Sequence, residues 1–189
     1  MTLGTHAPRT KQCSHCSKPF TPARPLQSVC GPRCAAQMTK VRKAKEKQEL
    51  KARKQALETI PELIKAAQRE FNAYIRERDK HQPCICCGEP LGTGDVGGGY
   101  DCGHYRSTGS AAHLRFDERN AHAQRKRCNR WGAGRAVDYR IGLIARIGLA
   151  AVEALENDNT PKKWDRDELR QIAATYRTKL RELKARSEE

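Results

Sequence analysis

Cysteine spacing constrains this chain more than any other feature of its sequence. Cys13-x2-Cys16 and Cys30-x3-Cys34 bracket a loop of thirteen residues, and Cys84-x2-Cys87 opens a second group that includes Cys86, Cys102 and Cys128. Two pairs with short internal spacing can place four thiolates tetrahedrally on one zinc ion, at about 2.3 Å each. The odd total of nine argues against a closed disulfide framework. So does the expected compartment: Met1–Arg9 lacks the apolar stretch of a secretory signal, and a chain that stays in the cytosol meets a reducing environment. Cys13, Cys16, Cys30 and Cys34 therefore predict a closed structural zinc site, with Phe20 on the intervening segment to cover it. Spacing alone leaves open whether that knuckle also docks on DNA or on a partner.

Such staples matter because the composition cannot build one large core. Of 189 residues, 37% are hydrophobic and 5% aromatic, against 31% charged. The predicted fold class is α+β, with small zinc-stapled modules around a central core and long flanking helices. Lys and Arg number 37 against 22 Asp and Glu, a formal charge of +15. That surplus repels itself and is relieved against a polyanion, so nucleic acid is the leading partner. An anionic membrane surface is the rival, but no long apolar run or paired lipidation signal supports it.

Four segments follow along the chain. Residues 1–36 make the N-terminal four-cysteine knuckle. Residues 37–82 hold a basic helix and a connecting helix. Thr39–Glu58 is lysine-rich with few apolar positions, and reads either as a solvated spacer or as a phosphate-contacting face. Near Pro61 a new helix starts, with Thr59 and Glu62 in capping-box register. Ile64, Ala67, Phe71, Tyr74 and Ile75 share one of its faces, and His81-Gln82-Pro83 ends it. Residues 83–135 carry the other five cysteines and the glycine run Gly97–Gly99, with too few apolar residues to fold unstapled. Residues 136–189 are helical. Val137, Ile141, Ile144, Ala145, Gly148 and Val152 form one apolar stripe. After a loop, Asp165 and Glu168 cap a last helix with Leu169, Ile172, Ala173, Tyr176, Leu180 and Leu183 on one face.

Within 83–135 the order is Cys84-x2-Cys87, Asp101-Cys102-Gly103-His104-Tyr105, Asn120, His122 and Cys128-Asn129. A zinc pair, a histidine on a strand and an asparagine after a knuckle cysteine resemble the layout of zinc-bearing HNH (ββα-metal) nucleases. In that chemistry a histidine deprotonates water for in-line attack on phosphorus, and His104 is the predicted general base. Asp101 and Asn129 are the predicted ligands of a catalytic Mg²⁺ or Mn²⁺, with His122 as second choice. The thiolate zinc only fixes the scaffold. Arg106, Arg125, Lys126, Arg127, Arg130 and Arg135 are the predicted DNA contacts. Plainer readings stand beside these: a surface or capping histidine, a capping Asn129, a solvated basic face. His113 stays open; His6, His15 and His81 carry no argument, His15 being a spare ligand at most.

The stretches RERDKHQPCICCG, YDCGHYRSTGSAAHLRFDERNAHAQRKRCNRW and DYRIGLIARIGLAAVEAL are similar to the NinG/Rap recombination endonucleases of lambdoid bacteriophages. The similarity runs through most of the chain. It implies a phage-encoded endonuclease of the host cytoplasm that cuts branched DNA, such as D-loops and Holliday junctions, with a divalent metal. It also implies action beside single-strand annealing or strand-exchange proteins. Resolving a two-fold symmetric junction takes two cuts, so a homodimer through the C-terminal helices is expected.

The chain departs from that family in its second knuckle, with Cys102 and Cys86 as extra cysteines, and at Gly103. The second knuckle there reads Cys-x2-Cys-Asn, whereas Arg125 replaces its first cysteine here. Cys102 is then the expected fourth zinc ligand, completing Cys84, Cys87 and Cys128. Cys86 is the alternative, disfavoured because it should point away from its neighbour. Gly103 stands where many HNH enzymes carry a metal ligand, which moves that role to Asp101. The rival from another class is a non-catalytic zinc protein binding branched or single-stranded nucleic acid; an RNA nuclease or RNA-binding factor shares the charge argument.

Overall fold

A computed structural model describes residues 10–92, 99–132 and 134–187. His6, the Met1–Arg9 segment and Gly97–Gly98 of the glycine run lie outside the described residues. The chain divides into two units, residues 1–58 and 59–189. The basic helix thus groups with the first knuckle, and the connecting helix with the central and C-terminal segments.

In the first unit, β1 (Lys11–Gln12) pairs antiparallel with β2 (Pro19–Phe20), and α1 (Pro32–Leu57) follows. Pro32 at the first helical position starts α1 earlier than its lysine content suggests, so Cys34 sits in its first turn. The helix buries no residue. Its sequence supplies helix formers but no apolar stripe, and Val41, Leu50 and Leu57 are exposed.

The second unit is built on a β-hairpin. α2 (Ile60–Arg78) begins at a capping box, with the Thr59 backbone N–H donating to Glu62 Oε2 at 2.8 Å. β3 (Tyr100–His104) and β4 (Ala121–Arg125) pair antiparallel, with Gly103 opposite His122 and Cys102 opposite Ala123. A wide helical turn, Arg127–Trp131, follows β4 directly; its closing bond runs from the Gly132 N–H to the Arg127 carbonyl at 3.0 Å. Then come α3 (Ala136–Ile147), α4 (Leu149–Asn157) and α5 (Arg166–Ser187), the last capped by Asp165 Oδ1 accepting from the Glu168 N–H at 2.9 Å.

Strand alternation gives the hairpin two faces. One carries Cys102 and Ala121 into a core with Leu63, Ala67, Phe71 and Ile75 of α2 and Leu169 and Tyr176 of α5. Phe71 centres this core, edge-on to Tyr176 at 4.8 Å and to Phe116 at 5.7 Å. The other face lies under Tyr139, whose hydroxyl donates to the Gly103 carbonyl at 3.1 Å; Tyr139 and Leu143 of α3 pack with Val152 and Leu155 of α4 and with Ile85.

Here the expected apolar stripe needs correction. Val137 and Ile141 are 75% and 64% exposed, and the buried face of α3 is Tyr139 and Leu143. The chain turns at Gly148 (φ 84°), so α3 and α4 are separate helices and no single stripe spans them. Two glycines permit close approach: a Cβ on Gly142 would stand 1.8 Å from the Ile85 carbonyl oxygen, and one on Gly103 would stand 2.2 Å from Gln124 Oε1. Gln124 fills the space that Gly103 leaves, which is why that position holds no side chain to bind a metal. Among the described residues, no helix is long and apolar enough to cross a membrane.

Candidate functional site

The first thiol cluster assembles as expected. The sulfurs of Cys13, Cys16, Cys30 and Cys34 all lie within 4.8 Å of one another. Cys16 and Cys30 sulfurs are 3.7 Å apart, and those of Cys30 and Cys34 are 3.5 Å apart. Four sulfurs each about 2.3 Å from one centre stand about 3.8 Å apart, so the donor set fits a tetrahedral zinc ion. Backbone N–H groups, that of Cys16 foremost, hold the Cys13 thiol down to about 6. The Cys30 thiol beside it pushes Cys34 up to about 12. Sulfurs sharing one shell repel once the first ionises, and a divalent cation among them removes that repulsion.

In the second cluster the fourth thiol is Cys86, not Cys102. The sulfurs of Cys84, Cys86, Cys87 and Cys128 lie within 4.8 Å of one another, with Cys84 and Cys86 at 3.6 Å. The expectation that Cys86 points away from Cys87 holds for extended chain. Residues 84–88 instead form a tight turn, closed by the Gly88 N–H on the Cys84 carbonyl at 3.0 Å with Gly88 at φ 70°, so consecutive side chains face inward. Burial opposes ionisation of Cys84, yet the backbone N–H of Arg125 on its sulfur (3.3 Å) and those of Cys87 and Cys86 bring it down to about 7. Cys102 packs instead in the α2 core, outside the cluster, where burial pushes its thiol up to about 12. This donor set also fits zinc.

The predicted catalytic residues do not gather at one point. Asp101 and Asn129 meet, the Asn129 amide donating to Asp101 Oδ2 at 3.2 Å. Arg130 already occupies the carboxylate through two bonds of 2.8 and 3.0 Å. Burial opposes the charge on Asp101, but Arg130 and Asn129 hold its carboxyl below the usual range. His104, an odd number of positions along β3, belongs to the opposite face with Cys102. His122 shares the Asp101 face but is buried; its ring lies 6.4 Å from that of Tyr139, its Nδ1 has no hydrogen-bond partner among the described residues, and burial pushes it down to about 3. These residues do not form one catalytic metal site with His104.

What surrounds His104 was not legible in the sequence. Its Nε2 lies 3.1 Å from the Arg115 carbonyl, an acceptor, so Nε2 carries the proton and Nδ1 keeps its lone pair. Phe71 packs beside the ring at 6.0 Å, and burial lowers the imidazole below its ordinary value despite that hydrogen bond, with the Arg115 charge adding to the shift. Arg115 donates to Gln68 Oε1 (3.2 Å) and the Thr108 carbonyl (2.9 Å); its buried Nε has no partner, and among the described residues no carboxylate pairs with it. Asn120, wholly buried, accepts from the Arg106 N–H at 2.8 Å and donates to the Arg106 and Leu114 carbonyls. It thereby ties down the loop that presents Arg115 to His104. Asn120 stands in the sequence constellation, but nothing local marks its role; Arg115 has no sequence signal at all.

The basic residues separate by partner. Arg106, expected on DNA, donates to the Leu155 and Asp158 carbonyls and to Asn159 Oδ1, capping the C-terminus of α4. Its guanidinium is engaged in the fold. Arg135 pairs with Asp138 at 2.7 Å and Arg130 with Asp101. Arg125 and Arg127 have no ion pair among the described residues, and they flank Trp131 in a cleft of about 590 Å³. His113 bonds the Asp158 carbonyl at 3.0 Å.

Similarity to known proteins runs along nearly the whole chain. A family model described as "Bacteriophage Lambda NinG protein" matches residues 5–188. The chain is 39% identical to "Protein ninG" of Salmonella phage P22 over 206 residues, covering 98% of this chain and 99% of the relative. It is 39% identical to "Protein ninG" of Escherichia phage 933W, covering 96% and 98%. To "Protein ninG" of Escherichia phage lambda it is 37% identical, covering 96% and 97%. No solved structure matches the chain.

Proposed function

The chain belongs to the bacteriophage NinG family, and from that membership we propose that it is a zinc-stapled DNA endonuclease of the HNH kind. Its substrates are branched recombination intermediates, D-loops and Holliday junctions, and its cleavage depends on Mg²⁺ or Mn²⁺. The observation that carries this reading is the state of His104. Its ring ends the first strand of a hairpin followed directly by a helical turn, it is held neutral by burial, and its Nε2–H is fixed on a backbone carbonyl. A neutral imidazole with one fixed N–H and one free lone pair is prepared to take a proton from water at neutral pH.

In this reading Nδ1 of His104 accepts the proton of the attacking water. Arg115, whose Nη groups reach Gln68 and Thr108 and which no carboxylate pairs among the described residues, holds a non-bridging oxygen of the phosphodiester. The water oxygen bonds to phosphorus as the P–O3′ bond breaks, and the leaving 3′-oxygen takes a proton from solvent, so the products carry a 5′-phosphate and a 3′-hydroxyl. Two zinc ions, held by Cys13, Cys16, Cys30 and Cys34 and by Cys84, Cys86, Cys87 and Cys128, supply scaffold alone. The divalent ion would supply charge stabilisation at the reacting phosphate. Asp101 and Asn129 are an adjacent oxygen pair that would hold it once Arg130 released the carboxylate, with Asp101 on the other face of the hairpin from His104.

The second reading, a non-catalytic zinc protein that binds branched or single-stranded DNA, is favoured by one observation: Asp101 is already neutralised by Arg130. Cleavage of a labelled four-way junction beside a linear duplex of equal length separates the two. Wild type and His104→Ala are run with Mg²⁺, Mn²⁺ or EDTA. Metal-dependent junction cutting that disappears in the variant while binding persists is the expected result. Tight binding without cutting under any condition sinks the nuclease.

A further inference from the structure

Trp131 is 77% exposed at the end of the helical turn after β4. An indole is the largest apolar side chain, and in water its faces gain nothing. The second tryptophan behaves differently: Trp164 packs edge-on to Phe116 at 5.1 Å, with the Lys162 ammonium over its ring at 4.5 Å. Trp131 instead lines an open cleft with Arg125, Arg127 and Arg135, one carboxylate, Glu89, and the cluster thiols Cys87 and Cys128. Two of those arginines, Arg125 and Arg127, have no ion pair among the described residues, and the chain carries a formal charge of +15. Uncompensated guanidinium groups around an exposed indole satisfy both halves of a nucleotide, the phosphate and the base face.

From this juxtaposition we infer that Trp131 is a stacking platform for an unpaired DNA base, with Arg125 and Arg127 holding the phosphates on either side of it. The inference rests on the DNA reading above and adds which part of the substrate is recognised. In a duplex both faces of every internal base are covered by neighbours, so an indole can stack only where bases are splayed or single-stranded. A branch point offers such bases; a blunt duplex does not. Phosphate contacts from Arg125 and Arg127 bind both, while Trp131 discriminates between them.

The chain has two tryptophans, so Trp164→Phe leaves Trp131 as the sole indole reporter in the full-length, zinc-loaded protein. Its emission is titrated with single-stranded oligo(dT), a blunt duplex and a four-way junction, in Ca²⁺ and low salt; fluorescence anisotropy of labelled DNA reports binding in parallel. Quenching by the single strand and the junction, with little change on the duplex, is expected. Trp131→Ala should weaken single-strand binding about tenfold and leave duplex binding within about twofold. Trp131→Phe should recover part of the loss. Equal emission on all bound DNAs, or single-strand affinity unchanged in Trp131→Ala, overturns the stacking role. Selective quenching by a protein that never cuts the junction upholds stacking while removing the nuclease. No anisotropy change with any DNA removes both.

Discussion

Asp101 and His104 belong to one five-residue strand yet to opposite faces of the hairpin. Asp101 is held by Arg130 and Asn129 beside the helical turn, whereas His104 lies against Phe71 of α2. Their substitutions should therefore separate. His104→Ala is expected to lower the rate at saturating Mg²⁺ about 10²–10⁴-fold, the usual span for losing a general base. Asp101→Asn should leave the pH profile in place and shift only the Mg²⁺ concentration needed for half-maximal cleavage. Matching losses in both variants, with matching pH profiles, would place the two groups in one centre after all.

Burial, with the Arg115 charge adding, keeps His104 below its ordinary value. The base form of a general base is lost as pH falls through its pKa, so the acid limb of kcat/KM should lie below about 6.5. Arg115→Met removes a positive neighbour, which favours the imidazolium and moves that limb to higher pH. The same variant should raise KM through the lost phosphate contact. A pH–rate profile on a nicked junction reads both effects, and an acid limb above 7 in wild type would contradict the assignment.

Zinc content distinguishes the two cysteines that compete for the central site. Cys86→Ser should lower the zinc released per chain from two toward one, because it removes one of four sulfurs within 4.8 Å of one another. Cys102→Ala should leave two zinc ions and cost stability through a cavity in the α2 core, roughly 1–2 kcal/mol. A chromogenic chelator assay after denaturation counts the metal.

Gly103 and Gln124 are coupled by contact. Gly103→Ala puts a Cβ 2.2 Å from Gln124 Oε1, at an expected cost of about 1–3 kcal/mol. Adding Gln124→Ala should recover part of it, and a double-mutant cycle in urea would show the coupling. Gly142→Ala should be worse and not rescuable, since its obstacle is the Ile85 backbone carbonyl at 1.8 Å, not a movable side chain.

His122 predicts an acid weakness. Burial lowers it to about 3 in the fold, whereas an unfolded chain protonates near the ordinary 6.5. Between those values the unfolded state binds more protons, so stability is present above about 6.5 and falls as pH drops, by at most about 1.4 kcal/mol per unit. His122→Gln should flatten that slope between pH 6.5 and 4 in urea titrations. An unchanged slope would assign the acid sensitivity elsewhere.

Much of this protein could be read one residue type at a time. The four thiols of the first knuckle, the capping box at Thr59 and Glu62, the apolar positions Ala67, Phe71 and Ile75 and the strand holding His104 are local features. Spacing, periodicity and a cap act within a few residues of chain, so local residue order encodes them. The family was equally legible, because similarity spreads over nearly the whole length.

Tertiary structure decided the rest, wherever a role depends on what a distant segment brings near. Cys86 joins its cluster because residues 84–88 turn instead of extending, and Cys102 is lost to it because β3 aims that thiol at α2. Arg106 leaves the DNA-binding set because the end of α4 arrives with carbonyls to cap. Arg115 and Asn120 gain importance only when the loop after β3 folds back on His104. Val137 and Ile141 face solvent because α3 turns Tyr139 and Leu143 toward the hairpin, where the Tyr139 hydroxyl meets the Gly103 carbonyl. For Cys102 and Arg106 the deciding contact joins residues far apart in the chain, and no local propensity encodes which face meets which neighbour.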